Sequence, residues 1–271
     1  MEKVIVTHFC PDVDALSSIW VIKRFLSGWE KAEVRYVSAG ETWEGKAPDE
    51  DPNMIHVDTG LGRFDHHGKK EFNSATSLCS NFVLTQRDFK ELDREALVRM
   101  VGVITEIDNG QEISWPEAES DRYEFMLNNF FDEREDSVEF GLTVLDSIFQ
   151  AFKKKIKAEE ILEEDGIVFE SKWGRAIAVE TANDNVLTVG QRQGYVLVVK
   201  KNPKTGFLRI YGRWDKDIDL TEVYEKFKKE DPEATWYLHP SRCLLLNGSK
   251  ANPKMVPTKL SLKEAIEILR G

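Results

Sequence analysis

The chain has 271 residues, of which 41% are apolar and 10% aromatic, enough for one large or two ordinary packed domains and too many for a disordered chain. Lys and Arg number 37 against 48 Asp and Glu, a formal net charge of −11, which argues against the basic stripe of a protein that wraps long nucleic acid and favours a small or short ligand. Cys10, Cys79 and Cys243 form no CxxC pair, so neither a disulfide framework nor a thiolate zinc site is indicated, and a reducing cytoplasm is the expected setting.

Lys3 to His8 is a β-branched run that predicts a buried strand, with little expected to precede the fold. The turn Phe9-Cys10-Pro11-Asp12-Val13-Asp14 follows. From Ala15 to Trp29 apolar residues recur at helical spacing, and Asp14 stands where a helix N-cap belongs. Glu33 to Ser38, Met54 to Val57 and Arg63 to His66 read as further strands. Ser74 to Gln86 and Glu91 to Ile107 read as helices, and Ser120 to Glu164 as entirely helical. After Asp165-Gly166 the texture changes. Ala176 to Val179, Tyr195 to Lys200 and Phe207 to Tyr211 are strand patterns, followed by a charged helix from Leu220 to Lys229, a strand-like Thr235 to Leu246 and a last helix from Leu262 to Arg270. Alternating strands and helices predict an α/β fold with a mostly parallel sheet over 1–165, and a smaller α+β domain over 166–271. No apolar run reaches the length of a membrane span, and the N-terminus lacks the marks of a signal peptide.

Only five histidines occur, and His8, His66 and His67 stand beside acidic residues at strand ends. Four segments carry the chemistry: Thr7 to Asp14 with His8, Asp12 and Asp14; His56 to Gly60 with Asp58; the run Asp65-His66-His67; and Ile104 to Gly110 with Asp108. Alone, Asp14 reads as a cap, Asp108 as part of a turn and His56 as structural. Together they bring oxygen and imidazole ligands to loops outside the carboxyl ends of strands, where open α/β sheets form their ligand crevice. Carboxylates so gathered repel one another unless cations lie between them, so a site for two divalent ions is the economical explanation. The donor types suit manganese first, with magnesium or cobalt as alternatives.

The set HFCPDVDA, VDTG, FDHH and EIDNG, with Ser74 to Ser77 after the Asp-His-His run, resembles the motifs of the DHH phosphoesterase superfamily over residues 3 to 110. Arg63 to His67 and Ile107 to Gly110 look closest to its melanocyte-proliferating-gene branch, which is related to exonucleases. Two departures stand out: the first motif has the Pro11-Asp12-Val13-Asp14 form of the wider superfamily, and the glycine-rich His motif of the usual C-terminal partner domain is missing. The resemblance implies His8 and Asp12 on one ion, Asp14, His66 and Asp108 on the other, and Asp58 bridging. It implies catalytic roles for His67, facing the substrate phosphate, and for Asp65, orienting the imidazoles.

In the second half, Trp236 to Arg242 offers an aromatic platform, His239, Ser241 and Arg242, and Asn247-Gly248-Ser249-Lys250 reads as a phosphate-binding turn. An edge strand with a polar turn explains the same residues. Trp173, Tyr211 and Trp214 are expected in a core or an interface. The leading expectation is a metal-dependent hydrolase of a short oligonucleotide or nucleotide. The alternatives are a pyrophosphatase-like enzyme and a non-catalytic metal- or nucleotide-binding regulator. No membrane partner is expected, and a homodimer is compatible with the sequence.

Overall fold

A computed structural model describes residues 2–48, 50–68, 71–127, 129, 137–249 and 251–270, and in it the chain divides into two units, Met1–Lys153 and Lys154–Gly271. In the first, β1 (Val4–His8) lies between β2 (Glu33–Val37) and β3 (Met54–His56), all parallel. Ile5 and Val6 have no exposed surface, as a strand covered on both faces requires. Because the strands run the same way, His8, Val37 and the residues after His56 emerge at one edge.

Helix α1 (Val13–Phe25) leaves β1 after one loop and buries Leu16, Ile19, Trp20 and Ile22. Its N-cap is Asp12, whose Oδ1 accepts the Ala15 N–H at 2.9 Å; Asp14, expected to cap, sits in the first turn instead. The helix ends at Phe25, short of Trp29, where Leu26 turns extended. Helices α2 (Ala75–Gln86) and α3 (Glu91–Asp108) pack in sequence beside it, α2 capped by Ser74 Oγ on the Ser77 N–H.

The stretch from Arg63 to His66 is a loop and not a strand. Gly60 and Leu61 both take positive φ, which reverses the chain directly after β3 and brings Phe64 O back to the Asp58 N–H at 3.0 Å. Nor is the region from Ser120 continuously helical. Asp121–Phe125 is a short 3-10 turn, as is Gln111–Ser114 before it; α4 is described from Ser137 to Glu164, and the part of that expectation falling on 128 and 130–136 lies outside the described residues.

The division of the chain falls inside α4. Leu145 and Phe149 are buried in the first unit, the Phe149 ring 5.4 Å from Trp20 and 5.7 Å from Phe25. Farther along, Ala158 and Leu162 pack with Ile177, Val186 and Val198 of the second unit. Apolar contact of this last part of the helix is why the second unit begins before Gly166.

The second unit is a six-stranded mixed sheet in the order β4 (Ile167–Ser171), β5 (Gly174–Glu180), β6 (Leu197–Lys201), β7 (Leu208–Gly212), β9 (Leu244–Leu246), β8 (Tyr237–Leu238). Only β5 and β6 are parallel, linked by α5 (Asn185–Arg192). Alternate residues serve two cores. Leu197 and Val199 face α6 (Thr221–Glu230) and α7 (Leu262–Arg270), while Val198 packs with Val186 and Val189 of α5. Helix α5 and strand β4 had no reading in the sequence. Thr235 to Leu246 is two short strands instead of one, because Pro240 and a left-handed Arg242 (φ 60°) make a hairpin between them. Trp173 packs against the core and Tyr211 beside it, whereas Trp214 is exposed.

Candidate metal centre

His8 ends β1, Asp12 and Asp14 open α1, Asp58 follows β3, and Asp108 is the last residue of α3. The parallel strands deliver the first four to one sheet edge. Asp58 takes φ of 54°, a left-handed conformation that Asp tolerates better than most residues, and Gly60 follows at φ 80°. A Cβ on Gly60 would stand 2.9 Å from Thr42 Cγ2, so both conformation and space demand glycine there.

Asp14 is 2% exposed and aims its carboxylate at the start of α2, accepting the Ala75 N–H at 2.7 Å and the Thr76 N–H at 2.9 Å. Two helix N-termini therefore meet on one carboxylate, where the positive ends of their dipoles favour it. Thr76 Oγ1 donates to the Asp14 carbonyl at 2.9 Å, locking α1 to α2.

Ligand atoms of the predicted set converge in three groups, each within 4.8 Å: His8, Asp12 and Asp58; Asp14, His66 and Asp108; and Asp58, His66 and His67. Atoms sharing one cation at ~2.0–2.6 Å stand no more than about 5 Å apart, so each group can hold an ion. His8 Nε2 is 3.2 Å from Asp58 Oδ2. His66 Nε2 is 3.4 Å from Asp58 Oδ1, 3.5 Å from Asp108 Oδ2 and 3.7 Å from Asp14 Oδ2. Among the described residues, neither Asp58 Oδ1 nor His66 Nε2 has a hydrogen-bond partner, although both are buried. A buried polar atom left so is costly unless something else binds it. The carboxylate and imidazole donors, with no thiolate among them, fit a divalent ion of the manganese or magnesium kind.

The electrostatics carry the same strain. Burial, then the Asp58 charge, lifts the Asp14 carboxyl to about 6. Burial, then Asp14, lifts Asp108 to about 7. Burial would lift Asp58 too, but the imidazoles of His66 and His8 beside it overcome that and hold it at about 2. Its hydrogen bond to Asp58, against burial, raises His8 to about 9, and the Asp58 carboxylate 3.4 Å away does the same for His66. Protons thus take the places that cations would take.

Asp65 is buried and accepts three N–H groups: Leu61 N at 2.7 Å, His67 N at 2.9 Å and His67 Nδ1 at 2.8 Å. That last bond places a proton on His67 Nδ1 and turns Nε2 outward. The cleft above the cluster, about 460 Å³, is lined by His8, Asp12, Asp58, His67 and Asp108 together with Ala39 and Gly40. Ala39 and Gly40 were not anticipated; their signal is their place just past the carboxyl end of β2. His56 is buried, its Nε2 accepting the Trp43 N–H at 3.0 Å and its Nδ1 3.1 Å from Pro48 O, as a structural histidine would be.

The C-terminal candidates lie in the second unit and separate into two kinds. His239 Nδ1 is 2.8 Å from Ser241 Oγ, and Arg242 Nη1 donates to Asp219 Oδ2 at 3.0 Å, all on the exposed hairpin tip. Asn247 is fully buried: Nδ2 donates to Thr235 O and Val256 O, and Oδ1 accepts the Thr258 N–H. Gly248 lies under the Phe207 ring, which a Cβ would strike at 2.4–2.7 Å. Asn247 and Gly248 hold the turn together from inside, and Lys250 lies outside the described residues.

No curated protein matches the chain. Among solved structures it is similar to a DHH-domain protein described as belonging to a family of ribosomal proteins, at 12% identity and a TM-score of 0.35 over 99% of this chain and 85% of that one. It is also similar to RecJ in complex with Mg2+ from Thermus thermophilus, at 10% and 0.35 over 99% of this chain and 49% of that one. A third is an exopolyphosphatase-related protein from Bacteroides fragilis, at 10% and 0.26 over 98% and 90%. With TM-scores this low, none of them bears on the activity of this chain. The family model that matches is not that of the melanocyte-proliferating-gene branch. It is described as the C-terminal domain of ChrB, it covers residues 5–152, more than half of the chain, and the chain belongs to that family.

Proposed function

We propose that the first unit is a divalent-metal-dependent phosphoesterase that hydrolyses phosphodiester bonds of a short oligonucleotide or nucleotide by attack of water. The observation that carries this reading is the orphaned pair of buried atoms, Asp58 Oδ1 and His66 Nε2, at the centre of three ligand groups. His8, Asp12 and Asp58 would hold one ion, and Asp14, His66 and Asp108 the other, with Asp58 shared. Bound there, the ions would polarise the phosphoryl oxygens and activate the attacking water.

The side chains around the cluster have their own work. Asp65, fixed by three N–H donors, holds His67 in one tautomer, so that Nε2 faces the cleft and contacts the phosphoryl group. The His67 side chain is 61% exposed, which lets it reach substrate that the buried ligands do not touch. The segments resembling the exonuclease-related branch, Arg63 to His67 and Ile107 to Gly110, supply four of these side chains, Asp65, His66, His67 and Asp108, and this supports the nucleotide substrate. On the second unit, the exposed His239, Ser241 and Arg242 are proposed as substrate contacts.

The test is hydrolysis by chelator-treated protein reloaded with manganese, offered short single-stranded RNA and DNA, dinucleotides, cyclic dinucleotides and pyrophosphate. Manganese should restore turnover better than calcium, on a nucleotide substrate. Hydrolysis of pyrophosphate alone would move the activity to phosphoanhydrides. Tight metal binding without turnover of any substrate would make the protein a non-catalytic binder.

A further inference from the structure

Lys200 comes after Leu197, Val198 and Val199 in β6 and is buried as they are, with 1% of its surface exposed. The antiparallel register sets Arg209 of β7 directly opposite it. Like charges opposed across neighbouring strands repel, and burial adds the cost of stripping water from both. An apolar pair would fill the same positions without either penalty. Asp184 Oδ1 lies between the cations, accepting from Lys200 Nζ and standing 3.3 Å from Arg209 Nη1. Although Asp184 occupies the N-cap position of α5, its side chain caps nothing there.

A cavity of about 240 Å³ opens where these three residues meet, with Thr205, Phe207 and Ser249 also on its wall. Thr205 Oγ1 accepts the Phe207 N–H and Ser249 Oγ accepts the Asn252 N–H, which leaves each hydroxyl its own proton to donate. Among the described residues of the wall, Asp184 is the one carboxylate, and two cations share it. Two cations and two hydroxyl donors in one concave site match a tetrahedral oxyanion.

We propose that this cavity binds a phosphoryl oxyanion, either inorganic phosphate or the phosphate of a nucleotide, on Lys200, Arg209 and the hydroxyls of Thr205 and Ser249. Asp184 is the internal anion that holds the two cations together and competes with the ligand for them. The site lies in the second unit and does not depend on the metal centre.

The test is calorimetric titration of the full chain, freed of divalent metal by chelation so that the carboxylate cluster offers phosphate no cation. Phosphate should bind wild type. Arg209→Gln should weaken it by about tenfold or more, the scale of one charge-assisted contact. Asp184→Asn should tighten it by a similar factor, because the competing charge is gone. Both residues are partly exposed, so the variants are expected to fold, which a thermal melt checks; Lys200, too deeply buried, is left intact. A purely structural triad predicts no phosphate binding in wild type or in Asp184→Asn, and that result overturns the proposal. So does equal affinity across all three proteins. Adenosine monophosphate titrated beside phosphate separates the sources. Tighter binding of the nucleotide that Phe207→Ala abolishes identifies a nucleotide, and equal affinity identifies the free anion.

Discussion

Asp58→Asn should remove more metal affinity than any other conservative change in the first unit. The side chain belongs to two of the three ligand groups, with Oδ2 3.2 Å from His8 Nε2 and Oδ1 3.4 Å from His66 Nε2 and 3.5 Å from His67 Nδ1. An amide of the same shape keeps one acceptor and loses the charge. Breaking a buried charge pair by removing one partner costs ~3–5 kcal/mol, which is at least ~10²-fold in a binding constant. Because Asp58 is shared, that loss should fall on both ions. Asp12→Asn is the control, since Asp12 belongs to one group only and Asn still caps α1. Manganese titration of chelator-treated protein by calorimetry should give two ions for wild type and one strong ion for Asp12→Asn. Neither should bind strongly to Asp58→Asn. Wild-type affinity for both ions in Asp58→Asn, or identical isotherms for the two variants, would refute the bridging assignment.

Metal-free protein should lose stability as pH rises. His8 and His66 are held at about 9 against an ordinary 6.5, so their contribution is complete below about 6.5 and lost through 9. Asp14 and Asp108, raised from 3.8 to about 6 and about 7, keep protons in the folded state that the unfolded chain has given up, so stability also falls across that window. Denaturant titration at several pH values should show this slope, and saturating manganese should reverse it, since ligands must shed those protons to bind; a flat metal-free profile would contradict both shifts. His67→Ala should lower kcat by ~10²-fold or more with metal content unchanged, the scale of one positioned acid–base group, and steady-state kinetics with metal analysis reads it. Asn247→Ala should cost about 2 kcal/mol or more in chemical denaturation, since the buried Thr258 N–H loses its acceptor and the Thr235 and Val256 carbonyls lose the amide that joins them; a loss below ~1 kcal/mol would return Asn247 to the surface contacts.

Where the sequence could be read, local chemistry and tertiary demand agreed. The strand ending at His8 lies where its β-branched run puts it, and the helix expected over Ser74 to Gln86 is present as Ala75–Gln86. Asp14 shows the limit. Its position marks it as a helix cap, and it is one in effect, but for α2, sixty residues on, and no local pattern reveals a cap contributed by another element. The run Arg63 to His66 has strand composition, yet positive φ at Asp58, Gly60 and Leu61 folds it into a loop. That loop puts His66 within reach of Asp14 and Asp108. Helix α5 went unread because Asn183-Asp184-Asn185 looks like a turn and only eight helical residues follow. Asn247 has the composition of a phosphate-binding turn and the burial of a clamp, a distinction that only packing makes.

The site's elements are each arranged at some expense to the metal-free chain. Asp14 is pressed toward its neutral form by burial and Asp58, Asp108 by burial and Asp14, and Asp58 adopts a left-handed backbone. Asp58 Oδ1 and His66 Nε2 go without hydrogen bonds. The structure meets this cost with directed contacts. Two N–H groups of α2 hold Asp14, three N–H groups hold Asp65, and the Phe64 carbonyl holds the Asp58 backbone. A fold selected for stability alone would replace the cluster with apolar residues, which often stabilises a buried ionic group's position. Supports that preserve an arrangement unfavourable by itself have a use only if something binds there with enough affinity to reverse the balance. Divalent cations would do so: each would satisfy an orphaned atom, cancel carboxylate repulsion, and drive off the protons that hold the metal-free cluster together.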